Sequence, residues 1–131
     1  MLTINSDIEL KQEIARGLKK IKPYNGTSSI WFSYQAGLDI GAGILRTAVG
    51  LAPKSPESTK VLWDTVLKIS KKLSHGGVDD SNGTVWPICD EIVQKLLSWQ
   101  DDPIIKKLLV KYAKDETGFD FEGPLKNLNL T

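Results

Sequence analysis

One histidine, His75, and one cysteine, Cys89, are all this chain offers of the side chains that metal sites and nucleophilic catalysis use most. A two-histidine zinc site, a paired-thiol redox motif and a zinc ribbon are excluded outright. A histidine-dependent triad would rest on His75 alone, with Cys89 as its sole thiol partner. An intrachain disulfide cannot form. Glycine-rich phosphate cradles are missing as well: the glycines at 37, 41 and 43 lack the lysine step of a P-loop and the spacing of a dinucleotide fingerprint. Nor is there an excess of either charge. With 17 basic and 16 acidic side chains the formal net charge is +1, so no global field draws in nucleic acid or anionic lipid, and either partner requires a local patch. The first ten residues reach charge at Asp7 and Glu9 without an apolar run. The expectation is therefore a soluble, intracellular protein with no signal peptide in the chain as given. No catalytic, cofactor-binding or metal-binding set is expected, and no enzyme activity.

What is present is an ordinary globular composition, 40% hydrophobic and 25% charged over 131 residues, enough for one domain spanning 1–131. Helix signals dominate. Ser6 and Glu9 form a capping box ahead of Leu10, Ile14, Leu18 and Ile21, predicting a helix from about 6 to 22. Ser55-Pro56-Glu57 starts a second, with Leu62, Val66, Ile69 and Leu73 on one face and Gly76-Gly77 as its stop. Another begins around Pro87, carrying Ile88, Ile92, Leu96 and Trp99. A last one follows Asp101-Asp102-Pro103, either aspartate serving as cap.

Residues 28–51 fit two templates. Trp31, Tyr34, Leu38, Gly41, Leu45 and Ala48 recur at helical steps, with Gln35, Asp39 and Arg46 opposite, while the even positions from Ile30 to Ile44 alternate as a strand would. The helix is preferred because the other helices need a partner for their apolar faces. The fold class is then mainly α, a compact bundle of about five helices with an extended C-terminal tail. The alternative is α+β with a hairpin within 28–51. That stretch is long enough to raise a membrane span, but Asp39, Arg46 and its glycines place it in a protein interior.

Each candidate site has a plain structural reading. The loop from Gly76 to Gly83 holds Asp79, Asp80 and Asn82, oxygen ligands for a hard cation, yet it breaks the EF-hand pattern and reads as a turn-forming connection. On that reading removing the Asp80 carboxylate changes stability by no more than about 1 kcal/mol. Cys89 reads as a buried small hydrophobe, and three of the four paired carboxylates as helix-end acids. Lys68, Lys71 and Lys72 form one basic cluster, Lys107, Lys111 and Lys114 another, and Lys19, Lys20 and Lys22 a third. Lysines belong at helix C-termini in any case, but on a shared face they would track a phosphate backbone.

Absence of chemistry leaves a non-enzymatic protein–protein interaction module, an adaptor, a small inhibitor or immunity-type protein, or an assembly factor. It would act through an apolar, aromatic patch whose candidates are Trp86, Trp99, Phe119 and Phe121. The partner is another protein or a second copy. Nucleic-acid binding through the lysine clusters is the alternative function.

Overall fold

The computed structural model describes residues 3–24, 26 and 30–113. They form five helices: α1 (Asp7–Leu18), α2 (Trp31–Leu51), α3 (Pro56–Ser74), α4 (Trp86–Ser98) and α5 (Pro103–Tyr112). No strand occurs among the described residues, so the all-helical reading holds and the hairpin is excluded. Helical spacing wins in 31–51 because one side of α2, Leu38, Ala42, Leu45, Ala48 and Val49, sinks into the core. The even-numbered run that imitated a strand is split between opposite sides: Leu38 and Ala42 are buried, Phe32 and Ile40 exposed. The helical glycine at 41 has a packing reason, since a Cβ there would stand 2.9 Å from the Gly17 carbonyl oxygen of α1.

Caps fall close to their predicted places. Ser6 Oγ accepts the Glu9 amide at 3.2 Å and Ser55 Oγ the Ser58 amide at 3.0 Å. The Glu9 carboxylate reaches back to the Asn5 amide. Asp102 Oδ1 accepts from Ile104 and Ile105. One boundary differs: α1 ends at Leu18, not near 22. The chain tightens there into three-residue turns, Lys20 to Gly17 and Ile21 to Leu18, which drop Ile21 into the core at 1% exposure.

α1 packs on α2 and α3, α4 packs on α3 and α2, and α5 lies against α3. Leu10, Leu45, Leu62, Val66, Ile69, Ile88, Ile92 and Leu96 are fully buried in the core, each contributing about 1.5–3 kcal/mol of burial free energy. The Trp63 ring stacks on Tyr112 with centroids 5.1 Å apart, fixing α5 against α3. At the other end of α5, Lys54 bridges to Asp101 at 2.8 Å.

Candidate interaction surface

Because one side of α2 faces the core, the opposite side is fixed by geometry. It presents Phe32, Ala36, Ile40, Gly43, Thr47 and Leu51, spaced three to four residues apart and all exposed. This row carries no charge. Phe32 is 87% exposed, Ile40 54% and Leu51 40%. Asp39 and Arg46, expected directly opposite the buried side, stand instead on the flank toward α4, where Arg46 meets Glu91 at 3.2 Å. Gly43 and Gly50 add to the anomaly. A Cβ at either meets nothing within 4 Å, so each costs the isolated chain about 1 kcal/mol relative to alanine with no close contact to explain it.

A second surface forms where the ends of α1 and α3 come together. Leu18 lines, with Lys68, Lys71, Lys72 and His75, a hollow of about 290 Å³. Lys72 Nζ donates to the Ile21 carbonyl at 3.2 Å, so two of the three predicted lysine clusters share one end of the molecule. Beside them sit three half-buried aromatic rings, Tyr24 edge-on to Trp31 at 5.2 Å and tilted on Tyr34 at 4.9 Å. Tyr34 is pinned: its hydroxyl donates to the Asp79 carbonyl at 3.1 Å and accepts the Asp79 amide at 2.7 Å. Burial raises its pKa above the usual tyrosine value.

The loop after α3 is a turn-forming connection, as its composition predicts. Asp79 Oδ1 accepts the Ser81 amide, while Asp80 Oδ1 accepts from Thr84 and Val85 and its Oδ2 accepts from Trp86 at 2.8 Å. Asp80 thereby caps α4 from six residues upstream, which a local cap pattern does not reveal. Three backbone donors on one carboxylate argue for a larger loss on removing it than the composition of the loop implies. Gln35 of α2 clamps the same loop through Thr84 and Asn82.

Cys89 is fully buried. Burial, with smaller contributions from Asp90 and Asp80, pushes its thiol up to about 12, far from thiolate chemistry. Trp99 is a core side chain at 7% exposure, not an exposed anchor: it ends α4 facing inward, with Lys95 Nζ 5.8 Å above its ring. Trp86 is half-buried against the core. Lys68 is paired with Asp64 at 2.9 Å. Lys107 and Lys111 are exposed on α5, separate from the hollow walled by the α3 lysines. Lys114, Phe119, Phe121 and the tail that carries them lie outside the described residues. The exposed aromatic that sequence reasoning missed is Phe32. Its signal was the uncharged 32, 36, 40, 43, 47 spacing, masked by the competing strand pattern.

Among the described residues no three histidine, cysteine, aspartate or glutamate side chains gather as a metal site would require. Among them, too, no helix is long and apolar enough to cross a membrane. Compared with protein-family models, with curated proteins and with solved structures, the chain matches none.

Proposed function

We propose that this chain is a non-enzymatic protein-interaction module that docks through the outward row of α2. The observation that carries the reading is Phe32, 87% exposed at the head of an uncharged row that continues through Ile40 and Leu51. Leaving such a residue in water forfeits the roughly 1.5–3 kcal/mol its burial yields, and contiguous exposed apolar rows mark partner contacts. An aromatic with few rotatable bonds is also the residue type that anchors interfaces. An adaptor, a small inhibitor or immunity-type protein, and an assembly factor all fit this design, and none needs a cofactor. A photo-crosslinking amino acid in place of Phe32, in the cells that make the protein, tests it. Adducts to protein are expected, and they disappear when Ile40 is also replaced by glutamate. Absence of any protein adduct would sink the reading.

The approach of the chain after α1 to the lysines ending α3, where Lys72 holds the Ile21 carbonyl beside the hollow walled by Lys71 and His75 and Tyr24 packs on Trp31, favours a second reading, in which this end tracks a nucleic-acid backbone and stacks a base. Binding to a single-stranded oligonucleotide that weakens steeply with salt and is lost on replacing Lys71 and Lys72 by glutamine would move the conclusion there.

A further inference from the structure

We infer that the occupant of the α2 row is a second copy of this chain, packed antiparallel across a two-fold axis near residues 41–43. The inference rests on the interaction reading above and names its partner. A two-fold contact must be self-complementary, because the same patch serves both sides. The α2 row meets that condition in shape. Reversing the helix about its middle sets Phe32 against the partner's Leu51, Ala36 against the partner's Thr47, and Ile40 against the partner's Gly43. The largest central side chain thus faces the position with none, and a Cβ on Gly43 meets nothing within 4 Å of its own chain.

The charges on the flank meet the condition independently. Asp39 and Arg46 lie seven residues apart, two turns along the same edge of α2. In an antiparallel pair, residues on one edge stay on that edge and exchange ends, so each Asp39 meets the partner's Arg46, twice per dimer. In a parallel two-fold pair this edge would pass to the opposite flank of the partner, so neither Asp39 nor Arg46 would meet its counter-charge there. Arg46 already contacts Glu91 at 3.2 Å. A guanidinium has five donors and bridges two carboxylates readily. The partner's Asp39 therefore completes the group instead of displacing an existing contact.

Sedimentation equilibrium of the full chain, from about 1 µM to about 1 mM, reads the association directly. A reversible monomer–dimer equilibrium is expected. Ile40→Glu and Arg46→Asp should each weaken it at least about tenfold, and Asp39→Arg with Arg46→Asp should restore it to within about threefold of the original. All these positions are exposed, and melting temperatures at low concentration, lowered only slightly where the exposed Arg46–Glu91 pair is lost, confirm that the fold is intact. A monomer at every concentration overturns self-association and leaves the interaction reading to the Phe32 cross-link, whose adduct would then be a different protein. A dimer indifferent to Ile40→Glu overturns the assigned face. Weakening by Arg46→Asp without recovery in the double variant overturns the antiparallel register.

Discussion

Gly41 of α2 sits directly over the Gly17 carbonyl oxygen of α1, and a Cβ at Gly41 would stand 2.9 Å from that oxygen. A backbone carbonyl cannot rotate away as a side chain can. Gly41→Ala should therefore separate the two helices and cost more than about 2 kcal/mol, as overpacking does. Gly43→Ala, two residues on with open space around it, should instead stabilise the monomer by roughly 0.5–1 kcal/mol. Urea unfolding of both variants at low concentration checks the pair, and equal effects would refute the close approach.

Asp80 predicts a larger loss than its place in a solvent-facing loop implies. Removing a carboxylate that accepts three backbone amides leaves the first turn of α4 without its cap, so Asp80→Ala should cost about 2–3 kcal/mol. Asp79→Ala removes one Asx-turn bond to Ser81 and should cost less than about 1 kcal/mol. Chemical denaturation ranks the two, and the reverse order would count against the capping role.

Cys89 sets an alkaline limit. The folded chain holds the thiol proton up to about 12, against an ordinary value of 9.0. Between those values the unfolded state binds fewer protons, so raising pH destabilises the fold, at about 1.4 kcal/mol per pH unit from this group. Tyr34, also raised, acts in the same direction at higher pH, whereas Lys95, lowered by burial, acts in the opposite one. Comparison with Cys89→Val isolates the thiol. The stability of the native chain relative to Cys89→Val should fall steadily above pH 9, and a constant difference would refute the assignment.

Trp99 and Phe32 should respond oppositely to truncation. Trp99→Ala opens a cavity at a 7% exposed site and should cost about 3–5 kcal/mol. Phe32→Ala, at 87% exposure, should leave monomer stability within about 0.5 kcal/mol while weakening partner capture. Thermal melts paired with a binding assay separate the two roles.

The elements themselves were written locally. Ser6, Ser55, Asp102 and the apolar steps at Leu62, Val66 and Ile69 each act within a turn or two, and capping and periodicity depend on nothing farther away. For that reason four of the five helices were legible without ambiguity, and a buried, unreactive Cys89 followed from the acidic Asp90 and Glu91 beside it. The choice in 31–51 was legible only in outline, since alternation and helical spacing coexist there and the α1 backbone pressed against Gly41 belongs to another part of the chain. Tertiary structure alone decided which tryptophans are interior, that Asp80 reaches forward six residues to cap α4, and that the chain after α1 returns to the end of α3, where Lys72 holds the Ile21 carbonyl. It also decided that the charged flank of α2 turns toward α4. The uncharged row headed by Phe32 was thereby left facing water, because which side of a helix is outermost depends on where its neighbours pack and not on its own periodicity.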